Sequence, residues 1–407
     1  MKTLSCFLLL VSFEVSCHWS CHAATALPIT GESVPELVEF DTAMTQFMQA
    51  NSVSGGVLAV MKDGRLVLKR GYGWSDRLKT VPFNPDARFR IASNSKEFAA
   101  AAIKILIERG LIATNTPAVP FIGIQPFNGR WGDARFQDIT VLQLIAHTSG
   151  FPFDYDWSSI STAMALDHPA TPEEAISHFL TLPLRFSPGR SFEYSGTAYL
   201  TLGRVIEKAS GLDFVTFVQR HVARPWGIHG VQLDRTEPKL RELDSPWYDS
   251  AGGSGPGQNL AAFPTTETVP YADGAEYYYE SVDSGGGLIA SAEGLLRLAQ
   301  AYLITHGSAF SPQAGIPTTM NGDRRRWRHL GKVGGQLGGE AGAALFNLQN
   351  TNGVDFAVFF NRTDQGALSS FVSRLKSLTE KNRRLAGRQC HPDRTRGRSV
   401  RSARERK

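Results

Sequence analysis

Two Asx-Gly turns near opposite ends of the chain limit its architecture most. Asp63-Gly64 separates the apolar runs 55–61 and 66–68, and Asn352-Gly353 separates the apolar runs 341–350 and 354–361. Such dipeptides supply the positive φ angles of a two-residue β-turn, so each pair of runs is predicted to form a hairpin. A lone hairpin is marginal in water and needs partners for its apolar face. The two hairpins are therefore expected to join in one antiparallel sheet built from both chain ends. Everything between them is then an insertion.

The flanking and intervening segments have helical periodicity. Within 35–51, Leu37, Phe40, Met44, Phe47 and Met48 recur at steps of three and four, which gives an amphipathic helix with one face for the sheet. The run 95–109 is apolar nearly all round, with Phe98, Ile103, Ile105, Leu106 and Ile107, and Gly110 follows it. A helix of that kind is buried on most sides, and glycine suits its C-terminal cap. Further helices are predicted over 140–147, 197–210 closed by Gly211, 213–224 stopped by Pro225, 291–305 capped by Ser291, and 367–379. Residues 251–264 form a loop rich in Gly, Ser and Pro, and Tyr277-Tyr278-Tyr279 reads as surface packing. No internal repeat is visible. The expected fold class is α+β: an antiparallel sheet flanked by helices, with a large helical insert over about 111–283. A groove between sheet and insert is the natural place for a site.

Charge excludes one class of partner. The chain carries a net +5, but residues 381–407 hold eleven Lys/Arg against two acids, a balance of +9, which leaves the body at −4. A mildly acidic body gives no reason to expect nucleic acid. The basic segment reads as a solvated tail that could contact anionic surfaces. At the other end, Lys2, the short apolar core 6–13 and the small-residue site Ala24-Thr25-Ala26 predict an export signal over 1–26. The core is too short for a membrane-spanning helix, so no transmembrane span is expected in the mature chain. The mature chain is thus expected to be periplasmic or secreted, with a main domain over 27–380. The residues before Cys17 and Cys21 do not fit a lipidation site. The cysteines are Cys6, Cys17, Cys21 and Cys390, which provide neither a disulfide framework nor a cysteine metal site. No clustered ligand motif suggests a metal, and no cofactor is expected.

The chemistry begins at Ser93-Asn94-Ser95-Lys96. A serine hydroxyl is a weak nucleophile and needs a base beside it. Residues three apart at a helix start share a face, so Lys96 can bring its amine to Ser93. Burial in the apolar helix would lower the lysine pKa toward that of a working base. The helix N-terminus adds partial positive charge that favours a developing oxyanion.

The stretch Phe89-Arg90-Ile91-Ala92-Ser93-Asn94-Ser95-Lys96 resembles the active-site segment of the serine β-lactamase and penicillin-binding protein family. The similar branch comprises class C β-lactamases, D-Ala-D-Ala carboxypeptidases and related esterases. Four further stretches fit the family in order. His147-Thr148-Ser149-Gly150 resembles a structural turn. Glu193-Tyr194-Ser195-Gly196 resembles the Tyr-x-Asn motif, and Ser284-Gly285-Gly286-Gly287 a glycine-rich turn back to the sheet. Lys332-Val333-Gly334-Gly335 resembles the Lys-Thr-Gly motif of an edge strand. The resemblance implies Ser93 as nucleophile, Lys96 and Tyr194 as its proton partners, and Ser95 as structural. It implies substrate binding by Lys332, Gly334 and Gly335, with the N–H groups of Ser93 and Gly335 as the oxyanion hole. Lys332 would also attract a substrate carboxylate and tune Tyr194.

Two positions depart from the pattern. Gly196 stands where the strict motif has asparagine, which holds the amide side chain of a β-lactam. Val333 replaces a hydroxyl residue that binds the substrate carboxylate. Both changes point toward ester or less specific peptide hydrolysis. The expected activity is a serine hydrolase forming an acyl-enzyme on Ser93, with a β-lactam, a D-Ala-D-Ala-type peptide or an ester as the small-molecule or peptide substrate. The alternative is a catalytically silent relative that binds cell-wall peptide or β-lactam fragments. An α/β-hydrolase is excluded by the lack of a Gly-x-Ser-x-Gly elbow.

Overall fold

The computed structural model describes residues 26–152, 157–236, 240, 246–248, 278–304, 334–335, 343–349, 354–362 and 365–381. Residues 1–25 of the predicted export signal, all of the basic tail past Lys381, the loop 251–264, Tyr277, Lys332, Val333 and the predicted turn Asn352-Gly353 lie outside the described residues.

In chain order the elements are β1 (Ile29–Thr30), α1 (Val38–Ala50), β2 (Gly55–Lys62), β3 (Arg65–Gly73), β4 (Phe89–Arg90) and α2 (Ser95–Glu108). There follow α3 (Ala118–Ile122), α4 (Val141–Ile145), α5 (Trp157–Ala163), α6 (Pro172–Phe179), α7 (Gly196–Ser210), α8 (Phe214–Phe217) and β5 (Gln232–Leu233). Then come β6 (Leu288–Ala290), α9 (Ala292–Leu298), β7 (Gly334–Gly335), β8 (Ala343–Gln349), β9 (Val354–Phe360) and α10 (Gln365–Lys381).

The main sheet has the order β1-β3-β2-β9-β8-β7, and every pair is antiparallel. Asp63 and Gly64 both take positive φ, at +49° and +80°, so β2 and β3 are joined as their sequence predicts. β2 also pairs with β9, from Gly56↔Phe360 to Lys62↔Val354. The two chain ends thus meet at the centre of the sheet, as expected from the two pairs of apolar runs.

Strand alternation divides the core between the two faces. Leu58, Val60, Phe356, Val358 and Phe360 pack with Phe40, Met44, Phe47, Phe371 and Leu375 under α1 and α10. Phe47 stacks on Phe371 with ring centroids 4.3 Å apart. The neighbouring positions Val57, Ala59, Met61, Ala357 and Phe359 face the other way and join one cluster with α2, α7 and α9. Burial of a large apolar side chain contributes roughly 1.5–3 kcal/mol, so both faces are strongly committed.

Between α2 and β6 the described chain is mainly helical, with local sequence reasons for several of the starts. Thr140 and Thr171 form capping boxes with Gln143 and Glu174, and Ser195 caps α7 by accepting from the Ala198 N–H. Gly211 closes α7 in the left-handed conformation.

Some expectations change. The segment 213–224 is not one α-helix. After α8 it widens into a π-helix over Val218–Ala223 and then tightens into a 3-10 turn at Arg224–Trp226. Pro225 lies in the first turn of that last piece, where a missing N–H costs nothing, so it does not stop the coil. The helix over 291–305 likewise becomes a π-helix at Ala299–Ile304. A second sheet, β4-β6-β5, had no sequence signal because its strands are two or three residues long. Tyr279 is buried rather than at the surface. Its ring lies 4.1 Å from the Arg90 guanidinium, and that of Tyr248 lies 4.6 Å from it.

Candidate active site

The second sheet aims Ser93. β4 pairs with β6, and the Ile91 N–H donates to the Leu288 carbonyl. The chain then turns through a 3-10 helix at Ala92–Asn94 into α2. Ala92 adopts φ +44° in that turn, a conformation disfavoured for a residue with a Cβ. Buried Arg90 anchors the approach through an ion pair with Asp234 and the two tyrosine rings.

Lys96 lies in the first turn of α2 and is 4% exposed. Its Nζ is 3.5 Å from Ser93 Oγ and donates a short hydrogen bond to the Gly285 carbonyl. The amine also lies 4.9 Å from the Tyr194 ring and 5.6 Å from the Tyr199 ring. Burial pushes its pKa down to about 7 from 10.5, while the neighbouring Glu97 charge pulls weakly the other way. At neutral pH a large share of Lys96 is therefore the free amine.

Tyr194 comes from a different element, immediately before α7 and its cap Ser195. Its hydroxyl donates to Ser93 Oγ at 2.8 Å. Ser93 Oγ thus sits between a phenol and a partly neutral amine. Gly196, at the first position of α7, is buried and presents no side chain. His147, expected to be a structural turn residue, stacks on the Tyr194 ring with centroids 4.5 Å apart.

The glycine-rich turn Asp283–Gly287 supplies the Gly285 carbonyl. The Arg204 guanidinium donates to Asp283 Oδ2 at 2.6 Å, and Ser284 Oγ donates to the Tyr199 carbonyl at 2.9 Å. A Cβ on Gly203 would lie 2.3 Å from Ser284 Oγ, so α7 and the turn can approach this closely only with glycine at that position. Ser95, fully buried, accepts the Leu288 N–H at 3.1 Å. Gly334 and Gly335 form β7, pairing with Ala344 and Ala343 beside the turn that carries Ser93.

The structure therefore brings Ser93, Lys96 and Tyr194 within hydrogen-bond reach or close to it, with β7 alongside. Sequence reasoning missed Arg90, Asp234, Arg204 and Asp283. Their pairings join residues distant in sequence and leave no local pattern. No three His, Cys, Asp or Glu residues cluster as a metal site among the described residues. No described helix is long and apolar enough to cross a membrane.

Residues 40–371 match the family model described as Beta-lactamase. The chain is 27% identical over 314 residues to esterase EstB of Burkholderia gladioli, which covers 72% of this chain and 79% of EstB. It is 27% identical over 220 residues to protein flp of Staphylococcus aureus (strain MW2), covering 53% of this chain and only 42% of flp. Among solved structures, D-amino acid amidase from Ochrobactrum anthropi SV3 superposes with a TM-score of 0.60 at 17% identity, over 84% of this chain and 99% of the amidase. That last likeness is one of fold.

Proposed function

The chain belongs to the beta-lactamase family, and from that premise we propose that it is a serine hydrolase that forms an acyl-enzyme on Ser93 and acts on an ester substrate. The observation that carries the reading is the position of Ser93 Oγ, 2.8 Å from the Tyr194 hydroxyl and 3.5 Å from a Lys96 amine whose pKa burial lowers to about 7.

In this reading Ser93 Oγ attacks the acyl carbonyl as its proton passes to neutral Lys96. The N–H groups of Ser93 and Gly335 are the proposed donors to the oxyanion. Collapse of the tetrahedral adduct breaks the bond to the leaving alcohol. That alcohol takes up the proton through Tyr194, which recovers one from the Lys96 ammonium. Water then attacks the Ser93 ester by the same proton route, giving the free acid and restoring the serine. Lys332 is the proposed contact for a carboxylate on the substrate.

The choice of ester over β-lactam rests on Gly196, which offers no amide at the start of α7, and on Val333, which offers no hydroxyl. Hydrolysis of an ester also places the least demand on leaving-group protonation. EstB, one of the relatives, is itself named an esterase. We further propose export by the N-terminal segment.

The test is turnover of p-nitrophenyl butyrate and of nitrocefin in parallel, with Ser93→Ala as control. Ester turnover lost in the control, with little or no nitrocefin turnover, supports the proposal. Nitrocefin turnover of comparable efficiency would make the substrate class a β-lactam instead. No turnover and no covalent labelling of Ser93 by a fluorophosphonate would leave a silent binding protein.

A further inference from the structure

His147 is joined to the chain on both sides of Tyr194. Its carbonyl accepts the Glu193 N–H at 3.0 Å, and its Nδ1 accepts the Ser195 N–H at 3.1 Å. Its ring lies against the Tyr194 ring at 4.5 Å with the planes 28° apart. Phe192 meets the imidazole edge-on at 5.8 Å, and Tyr199 packs on it at 5.0 Å. The residue is 5% exposed and sits at φ +55°. Histidine is among the few residues other than glycine that enter this backbone region with some frequency.

These contacts have a specific consequence for the tyrosine. The backbone is fixed before and after Tyr194, and one face of its ring is blocked. The hydroxyl is then left close to one place, 2.8 Å from Ser93 Oγ. An Nδ1 that accepts from a backbone N–H leaves the ring proton of neutral histidine on Nε2. Displacement of a reacting group by about 1 Å can cost on the order of a hundredfold in rate.

We propose that His147 is a positioning residue, which in its Nε2–H tautomer holds the Tyr194 hydroxyl against Ser93 and so sets the rate of acyl transfer without touching substrate. The proposal rests on the reading of Ser93 as nucleophile.

A double-mutant cycle of His147→Asn with Tyr194→Phe tests it. Asparagine tolerates the left-handed backbone and offers an oxygen to the Ser195 N–H, but it has no ring to place against Tyr194. The readouts are kcat and KM for p-nitrophenyl butyrate and the rate at which a fluorophosphonate labels Ser93. Thermal unfolding confirms that each variant is folded at the assay temperature. In the wild-type background His147→Asn should lower kcat and the labelling rate about tenfold or more, with KM within about threefold. In the Tyr194→Phe background the same change should cost no more than about twofold, because the group being positioned is gone. An equal loss in both backgrounds, or no loss in the first, overturns the proposal. Activity that survives Ser93→Ala would instead overturn the nucleophile assignment, so the two failures are distinguishable.

Discussion

Lys96→Met should make the protein more stable while removing its activity. Lys96 is 4% exposed, and burial lowers its pKa from 10.5 to about 7. Between those two values the unfolded chain binds a proton that the folded chain does not, so stability must rise with pH across that interval. Read downward, a cost accumulates from about pH 10.5 and is nearly complete at pH 7. At about 1.4 kcal/mol per pH unit, the whole interval amounts to roughly 4–5 kcal/mol at neutral pH. Methionine has similar length and no charge to desolvate, so it relieves that cost. It also removes the donor to the Gly285 carbonyl, and an orphaned buried acceptor costs about 1–3 kcal/mol. The net gain at pH 7 is on the order of 1–4 kcal/mol, or roughly 2–8 °C in Tm. The assay is unfolding of wild type and Lys96→Met at pH 7, 8 and 9. The gap between them should shrink as pH rises, by up to about 1.4 kcal/mol per unit, because the wild type alone gains. A variant less stable than wild type at pH 7, or a gap independent of pH, would refute the buried, partly neutral lysine.

The same lysine gives the activity a pH dependence. A base must be free of its proton, so kcat/KM for p-nitrophenyl butyrate should fall on the acid side of about pH 7, by about tenfold for each unit well below it; a profile flat from pH 5 to 8 would exclude Lys96 as the base. On the opposite face of the sheet, Phe371 is 4% exposed and stacked on Phe47. Phe371→Ala should cost about 3–5 kcal/mol in urea unfolding, yet the folded fraction should keep its kcat because Phe371 packs in the cluster on one face of the sheet while α2 and α7 pack in the cluster on the other.

What was legible in the sequence was what local rules determine. Asp63-Gly64 demanded positive φ angles and has them, and with the later hairpin it predicted a sheet closed by both chain ends. The all-round apolar character of 95–109 predicted a buried α2, and residues 99–103 are at most 1% exposed. Ser93 and Lys96 share a helical turn, so their approach could be read from spacing. Tyr194 could not be, since it reaches Ser93 from 101 positions away; only the resemblance of its motif pointed to it. His147 carried a motif too, but its contact with Tyr194 exists only through tertiary packing. The short strands β4, β5 and β6 escaped because two or three residues cannot display a period. Tyr279 escaped because a run of tyrosines does not say which ring will find a buried arginine.

One helix links the partners of Ser93. At its N-terminus α7 is capped by Ser195, which fixes the direction in which the preceding Tyr194 leaves. One turn in, Tyr199 lies beneath the Lys96 amine and its carbonyl accepts from Ser284. Further along, Gly203 admits the glycine-rich turn, and Arg204 holds Asp283 at 2.6 Å. The Gly285 carbonyl that receives Lys96 is therefore positioned by the same helix that presents Tyr194. Ser93 itself comes from a different element, on a turn that places Ala92 at φ +44°. Strained backbone and a buried amine both oppose folding, and neither is needed to close the sheet or cap a helix. Their concentration within five residues, facing a single helix, is what a site organised for chemistry requires and what a site organised only for stability would have lost.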